Sequence, residues 1–234
     1  MEYQVFNQLA NQYGLEITKQ EHDALMEYAN LLIDYNKKVN LTAIVELDQI
    51  FIKHFLDSLL VLKHVNQKMA IADVGTGAGF PGMVLALFLP NSTFTLIEPT
   101  KKRVVFLHQV VEKLKLKNVI IIQQRAEDLQ SYKEHFDVVL SRAVARLDIL
   151  LELCVPLIKV NGLFIALKGA QGKDEITVSK NAFKELNASI LTIEEITLNM
   201  QQEQAVRQNI VITKHKQTPS KYPRMYSKIK KQPL

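Results

Sequence analysis

Apolar side chains recur at helical spacing in the first sixty-odd residues of the chain. Leu25, Ala29 and Leu32 lie three or four positions apart with mostly polar residues between them, which is typical of a helix with one buried face. A second helix is predicted over residues 47–62, and no run typical of a β-strand comes before Met69. The chain is therefore predicted to begin with a small helical region.

From Met69 onward, short apolar runs alternate with segments of helical periodicity. The runs that are apolar enough for buried strands cover residues 69–75, 93–98, 119–123, 136–141, 162–168, 188–197 and 205–213. Between the first of them, residues 80–88 and 102–116 have the spacing of helices. Near-continuous apolar strands that alternate with helices indicate a mostly parallel sheet covered on both faces, which is a doubly wound α/β fold. The last two runs have no obvious helix between them, so they are predicted to form an antiparallel hairpin.

These patterns divide the chain into three segments. Residues 1–66 are predicted to form a helical N-terminal extension, residues 67–213 an α/β domain, and residues 214–234 a basic C-terminal tail. A length of 234 residues suits one large domain with small extensions, and it is enough for a full hydrophobic core.

Composition excludes several classes of protein. Cys154 is the only cysteine, so the chain can form no internal disulfide and no zinc site built from several cysteines, and a reducing compartment is indicated. The six histidines lack the spacing of a metal-binding motif, and no metal site is predicted. The N-terminus has no basic, apolar secretion signal, and no apolar run reaches the ~20 residues that a membrane helix needs. We therefore expect a cytoplasmic protein, a monomer that binds no membrane.

Positive charge is concentrated at the C-terminus. The formal net charge is +5, yet the segment from Gln204 to Leu234 contains eight basic residues and no acidic one, which leaves 21 basic against 24 acidic residues elsewhere. Such a segment is the electrostatic signature of a protein that binds a polyanion such as RNA. It is equally compatible with a solvated tail that aids solubility. Tyr222 and Tyr226 lie among these charges and could stack on bases, which favours RNA slightly.

A glycine-rich stretch lies where the first strand meets the first helix of the α/β domain. The spacing Gly77-x-Gly79-x-x-Gly82 formally matches the dinucleotide-binding fingerprint. Read from Asp73 to Gly79, the same stretch resembles the first motif of class I S-adenosylmethionine-dependent methyltransferases. In both cases Glu98, at the end of the second strand, would bind a ribose.

The chemistry of the two ligands separates these interpretations. A dinucleotide brings a pyrophosphate to the helix N-terminus, whereas S-adenosylmethionine brings a sulfonium cation and no phosphate. An acidic residue at the strand end, Asp73, is compatible with a cation and unfavourable beside a pyrophosphate. The methyl donor is therefore the preferred ligand, and a dinucleotide-binding oxidoreductase is the alternative.

Further blocks of sequence make the resemblance more specific. They are NLTA (40–43), HFLDSL (54–59), DVGTGAGFPG (73–82), LIEPTKKRVVFL (96–107), LKNVIIIQQRAEDL (116–129), FDVVLSRAVARL (136–147) and GLFIALKG (162–169). Together they resemble the bacterial 16S rRNA guanine-N7 methyltransferase family, called RsmG or GidB. The resemblance covers roughly residues 36–170 and implies a Rossmann-like class I methyltransferase fold, with a mostly parallel seven-stranded sheet in residues 67–213. One departure is Pro99 after Glu98, where many members have a serine after an aspartate.

The resemblance implies a set of residues that bind S-adenosylmethionine. Gly75 and Phe80 would line the cofactor cleft, and Gly77 and Gly79 would shape the same turn. Glu98 would hold the ribose.

Three further residues complete the implied cofactor site. Ala126 and Glu127 would meet the adenine, because a backbone N–H and an acceptor after the third strand can read its edge. Arg142 would face both the cofactor and the reacting base. The implied substrate is 16S rRNA or the small ribosomal subunit, and a different methyl acceptor is the alternative.

Methyl transfer to guanine N7 makes modest demands on the protein. N7 carries a free lone pair at neutral pH, so no residue is predicted to act as general base, and positioning should supply most of the acceleration. We expect Arg142, Arg125 and Lys168 to hold the base and its phosphates, with Asn40 as a further candidate. The basic C-terminal segment and the N-terminal helices are expected to grip the RNA backbone.

Other polar residues have ordinary structural explanations. His54 and Asp57 are close on one predicted helix and are expected to share a hydrogen bond on its surface. Cys154 lies in an apolar stretch and is expected to be an inert core residue.

Overall fold

A seven-stranded sheet forms the centre of the computed structural model, which describes residues 1–199 and 204–234. Its strands are β1 (Ala70–Val74), β2 (Thr93–Ile97), β3 (Val119–Ile122), β4 (Phe136–Arg142), β5 (Ile158–Lys168), β6 (Ala188–Asn199) and β7 (Gln204–Lys214). Across the sheet they follow the order β3-β2-β1-β4-β5-β7-β6. The neighbours from β3 to β5 are parallel, and β7 is antiparallel to both β5 and β6. The predicted mostly parallel sheet and the terminal antiparallel pair are confirmed.

Helices precede the sheet and connect its strands. They are α1 (Tyr3–Asn11), α2 (Lys19–Asn36), α3 (Leu47–Ile50), α4 (Asp57–Leu59), α5 (Gly82–Phe88), α6 (Lys101–Lys113), α7 (Leu147–Cys154), α8 (Gly172–Val178), α9 (Lys180–Glu185) and α10 (Tyr226–Lys231). A π-helical segment, Phe51–Leu56, joins α3 to α4. No helix within the described parts of the chain is long and apolar enough to cross a bilayer.

The sheet separates two hydrophobic clusters because side chains alternate between its faces. Along β1, Ile71 belongs to the cluster that includes α2 and α5, whereas Ala72 and Val74 belong to the cluster that includes α7. Cys154 is fully buried in the second cluster, as expected, and burial raises the pKa of its thiol.

The N-terminal helices pack on the face of the sheet that carries α5 and α6. Thr18 caps the N-terminus of α2. Its side chain accepts a hydrogen bond from the Glu21 N–H, while the Glu21 carboxylate accepts one from the Thr18 N–H. On its buried face, the Tyr28 hydroxyl donates to the Ala78 carbonyl in the glycine-rich loop. The helical extension therefore supports the loop directly. Its boundary at residue 66 stays a prediction.

The C-terminal segment is packed against the rest of the molecule. Lys214 is fully buried and donates to Glu134 Oε1 at 2.9 Å, and Ile229 is fully buried in the second cluster. The segment thus packs on the fold through these residues while Lys228, Lys230 and Lys231 are exposed, and its boundary at residue 214 stays a prediction. The turn of the predicted hairpin falls on residues 200–203, outside the described residues.

Candidate functional site

The glycine-rich loop between β1 and α5 needs glycine at two positions for different reasons. Gly75 has φ +70°, and a Cβ there would collide with Val144. Gly79 has φ +98°, and a Cβ there would collide with the Tyr28 hydroxyl. The loop can therefore approach both the chain after β4 and helix α2 only because these residues lack side chains.

Asp73 organises this loop from inside. It is completely buried, and its Oδ2 accepts hydrogen bonds from the Gly82 N–H at 2.8 Å and from the Thr76 hydroxyl at 2.6 Å. Burial raises the pKa of this carboxyl to about 6. The carboxylate is thus held within its own loop, and its compatibility with a cationic ligand stays a prediction.

A cleft of about 250 Å³ opens at the carboxyl ends of the central strands. Gly75, Glu98, Ala126 and Glu127 line it together, as the resemblance implies for a cofactor site. Gly77 does not line the cleft but donates its N–H to Glu98 at 3.1 Å. We call this the smaller cleft.

Glu98 is the best-fixed polar side chain of the smaller cleft. Only 1% of it is exposed. Its Oε1 accepts from the Thr100 N–H at 2.8 Å, and its Oε2 accepts from Gly77 and, at 3.4 Å, from Arg103. A carboxylate has about four acceptor positions, so about one remains for a hydroxyl group in the cleft. Pro99, the departure from the family pattern, also lines the cleft and leaves this carboxylate in place.

Arg125 and Glu127 lie on either side of Ala126 at another wall of the smaller cleft. Burial raises the pKa of the Glu127 carboxyl, and Arg125 Nη1 lies 3.9 Å from Glu127 Oε1. The sequence predicts that Arg125 binds RNA, whereas the structure places it in the lining of the smaller cleft.

A second cleft of about 600 Å³ adjoins the first, and Ala143 and Val144 line both. We call it the larger cleft. Its ionic lining consists of Lys53, Arg142, Arg146, Lys168 and Arg207 with Asp57 and Glu175. Five basic groups against two carboxylates give it a positive potential that suits a polyanion.

Asp57 connects two of these arginines. Its Oδ2 accepts from Arg142 Nη1 at 2.8 Å, and its Oδ1 accepts from Arg207 Nε at 2.9 Å. Arg142 is the last residue of β4, and Arg207 lies in β7. The Asp57 carboxylate therefore connects the two strands that flank β5. Asp57 is buried, and the expectation of a helix-surface hydrogen bond with His54 is wrong.

His54 touches the same arginine and is held neutral. Arg142 Nη2 lies 3.3 Å from His54 Nδ1, and the Thr42 hydroxyl lies 3.0 Å from Nε2. Since a guanidinium can only donate, Nδ1 must accept and the ring proton must sit on Nε2. Burial, together with the charge of Arg142, lowers the pKa of His54 to about 3.

The remaining predicted site residues occupy different places. Phe80 is buried outside both clefts, where it stacks on His54 with ring centroids 4.5 Å apart and lies under Arg142. Lys168 lines the larger cleft and donates to the Ala145 carbonyl and to Glu175, each at 2.7 Å. Arg142 lines the larger cleft and not the smaller one, and Asn40 lines neither.

Several residues that line the clefts are not predicted from the sequence as parts of them. Arg207 lies in the acid-free C-terminal stretch, where its position was not distinguished from those of the other basic residues. Val144 and Tyr226 line the smaller cleft, but only the fold brings them to Glu98. Within the described ranges, no group of three or more His, Cys, Asp or Glu side chains could hold a metal ion.

Comparison with known sequences gives a consistent result over nearly the whole chain. The profile of the GidB family, described as rRNA small subunit methyltransferase G, matches residues 21–209. The ribosomal RNA small subunit methyltransferase G of Mycoplasma capricolum is 45% identical over 230 residues, with 97% of each chain covered. The protein of the same name from Halalkalibacterium halodurans is 41% identical over 239 residues, with 100% of each chain covered.

Solved structures with low sequence identity share the fold. The crystal structure of M. jannaschii TYW2 in complex with AdoMet has a TM-score of 0.53 at 17% identity and covers 64% of this chain and 70% of its own. Precorrin-6y C5,15-methyltransferase from Geobacter metallireducens has a TM-score of 0.56 at 12% identity, and the match covers 69% of this chain and 88% of that chain. At such identities the likeness shows the fold alone, which is that of class I methyltransferases.

Proposed function

This chain belongs to the rRNA small subunit methyltransferase G (GidB) family, and from that premise we propose that it methylates N7 of a guanine in 16S rRNA. Its cofactor is S-adenosylmethionine. The structural observation that supports this proposal is that the two clefts are adjacent. The smaller cleft, with Glu98 and the glycine-rich loop, shares a wall with the basic larger cleft. The shared wall, Ala143 and Val144, would bring the two reactants together.

The residues of the smaller cleft fit the cofactor. The free acceptor position of Glu98 suits a ribose hydroxyl, and Gly75 lines the same cleft. Ala126 and Glu127 are at the wall where an adenine edge can be bound. When bound, S-adenosylmethionine supplies a methyl carbon that is electrophilic because it is attached to a sulfonium.

The larger cleft suits a nucleotide of RNA. Its basic side chains can neutralise phosphates, and Arg142 can donate to guanine O6. A donor to N7 itself would occupy the attacking lone pair, so the reactive pose excludes a bidentate contact with O6 and N7. The target guanine must be unpaired or splayed out, because N7 lies in the deep groove of A-form RNA.

The larger cleft offers no free base among its described side chains. Asp57 is bound by two arginines, Glu175 by Lys168, and the acceptor nitrogen of His54 by Arg142. This arrangement supports a mechanism in which the protein positions the guanine and excludes water, with no proton removed before methyl transfer. The enzyme would act as a cytoplasmic monomer on rRNA or on the small ribosomal subunit.

Ligand binding separates this proposal from its alternative. S-adenosylmethionine and S-adenosylhomocysteine should raise the melting temperature of the protein, whereas NAD and NADP should not. Radiolabelled S-adenosylmethionine should then transfer its methyl group to deproteinised 16S rRNA or to intact small subunits, with 23S rRNA as the control. Stabilisation by NAD alone would favour an oxidoreductase. Cofactor binding without transfer to either RNA substrate would favour a different methyl acceptor.

A further inference from the structure

The segment after β7 is fixed on helix α7 by a buried ion pair. Arg224 Nε donates to Glu152 Oε1 at 2.8 Å, and the Arg224 backbone N–H donates to the same oxygen at 2.9 Å. Glu152 is completely buried, and its hydrogen bond raises the pKa of Arg224. A buried carboxylate paired in this way holds its partner rigidly, because breaking the pair would leave an uncompensated charge. Two residues after this anchor, Tyr226 begins α10.

This anchor places Tyr226 at the smaller cleft. Its ring lines the cleft together with Arg125, Ala126 and Glu127, the wall assigned above to the adenine. The Arg125 guanidinium carbon lies 5.2 Å from the Tyr226 ring centroid, which is within the range of a cation–π contact. Ile229, one turn later in α10, is fully buried and prevents the helix from turning away.

We propose that Tyr226 is a cofactor-binding residue that packs its ring against the adenine of S-adenosylmethionine. The inference rests on the proposed function and extends it to the C-terminal segment, which the sequence associates with RNA. The ring is partly buried, and within residues 1–199 and 204–234 no hydrogen bond fixes its hydroxyl. We assign the contact to the ring and not to its hydroxyl, since the face of a purine is recognised by stacking on an aromatic side chain.

Calorimetric binding to the full-length protein tests this assignment with two ligands. S-adenosylhomocysteine contains the adenosine and the amino acid part, whereas 5′-methylthioadenosine contains only the adenosine part. Tyr226→Ala should weaken the binding of both ligands by a similar factor, roughly tenfold, because the adenine would lose its stacking partner. Tyr226→Phe should bind both within about twofold of the wild type.

The matched control is Met225→Ala. Met225 is the preceding residue, is 75% exposed, and does not line the smaller cleft. This variant should bind both ligands like the wild type. If Tyr226→Ala lowers the melting temperature so far that binding cannot be measured, Tyr226→Leu retains apolar packing and should show the same loss for both ligands.

The possible results distinguish a failure of the Tyr226 assignment from a failure of the proposed function. Wild-type affinity in Tyr226→Ala or Tyr226→Leu would overturn the inference while the proposed function stood. A loss for S-adenosylhomocysteine alone would also overturn it, because the contact would then be to the amino acid part. Unchanged cofactor affinity together with weaker binding of 16S rRNA would assign Tyr226 to the RNA instead. A wild-type protein that binds neither ligand would contradict the proposed function itself.

Discussion

At the scale of single residues, Asp57 decides how the larger cleft presents its charge. One buried carboxylate accepts hydrogen bonds from two guanidinium groups that come from different strands. It cancels one of the two positive charges and fixes the directions of both donors. Removing the Asp57 carboxylate would leave both guanidinium groups without their shared partner. Asp57 therefore acts through Arg142 and Arg207 and is a positioning residue.

Asp57→Asn should lower the methylation rate at saturating cofactor by about 10- to 100-fold, since a hydrogen bond to a charged group contributes about 1.5–3 kcal/mol. The amide offers one acceptor and turns an NH₂ group toward a guanidinium. Affinity for S-adenosylhomocysteine should stay within about twofold, because Asp57 does not line the smaller cleft. Single-turnover rates and calorimetry measure the two quantities.

Asp34→Asn is the control for this substitution, because Asp34 is exposed and, among the described residues, forms an ion pair with Lys37 alone. A full rate in Asp57→Asn would contradict the positioning role. So would an equal loss of rate and of cofactor affinity, which is the signature of general damage to the fold.

His54 makes the stability of the protein depend on pH. Its pKa is about 3 in the folded protein, against an ordinary value of 6.5, so below pH 6.5 the unfolded chain binds a proton that the folded chain does not. His54 therefore contributes stability that is lost as the pH falls. Asp73 acts in the opposite direction, since its raised pKa of about 6 makes its contribution fall as the pH rises from 3.8 to 6.

His54→Gln removes the histidine contribution and leaves that of Asp73 in place. The free energy of unfolding of the wild type minus that of the variant should rise by about 1.4 kcal/mol per pH unit between pH 4 and 6. Urea unfolding of both proteins at several pH values measures this difference. A difference that stays constant or falls with pH would show that His54 is not buried as a neutral ring.

The sequence predicts the position of residues that the local strand–loop–helix pattern places at the edge of the sheet. Gly75 and Glu98 could be placed from the strand–loop–helix pattern, because neighbouring parallel strands end at the same edge of the sheet. Asp57, His54 and Phe80 could not be placed, because their surroundings depend on Arg142, far away in the chain. Helical spacing alone could not distinguish a surface pair from a buried one.

At the scale of secondary structure elements, α10 connects the two proposed binding functions. Its first residue, Tyr226, faces the smaller cleft, whereas Lys228, Lys230 and Lys231 are exposed. Other basic residues of the C-terminal segment are already paired, as Lys214 is with Glu134 and Arg224 with Glu152. The charge available to RNA is therefore smaller than the eight basic residues of the sequence suggest.

Replacing Lys228, Lys230 and Lys231 together by glutamine should weaken RNA binding and reduce its dependence on salt. Each phosphate contact that is lost should reduce the slope of log K against log salt by roughly 0.7–0.9. Filter binding of 16S rRNA across a series of salt concentrations measures the slope. Lys113, Lys115 and Lys117 are exposed at the end of α6 and just before β3, at the opposite end of the strands from both clefts. Replacing these three by glutamine provides a control variant of equal charge change.

Cofactor affinity should be unchanged in both triple variants. Substitution is preferable to truncation after Thr213, because truncation would remove the buried Lys214 and Ile229. An unchanged salt slope in the α10 variant would exclude this helix from the RNA interface.

Elements with a clear hydrophobic period were predictable, and the others were not. The strands alternate between two covered faces, and α2 and α6 each bury one stripe. Helix α7 buries nearly all of its residues and so has no polar face to reveal a helical period. Helices α8, α9 and α10 have six or seven residues each, which is too short for a periodic signal.

At the scale of the whole molecule, the fold and the activity are specified by different features. Solved structures with 12–17% identity share the fold, so the fold alone does not select a substrate. What points to RNA is the basic cleft on the far side of Ala143 and Val144, together with family membership. The sequence predicted the sheet, whereas the division into two adjoining clefts required β4, β7 and the N-terminal helices to be assembled.

Mapping the modified nucleotide tests the central claim most directly. Unmodified 16S rRNA, both deproteinised and in small subunits, is incubated with the protein and labelled S-adenosylmethionine, then reduced with borohydride and cleaved with aniline. These reagents break the chain at N7-methylguanine, and primer extension locates the break. The account predicts one enzyme-dependent break at a guanine in at least one of the two substrates. Label incorporated at another atom or base, or no incorporation into either substrate by a protein that binds the cofactor, would contradict it.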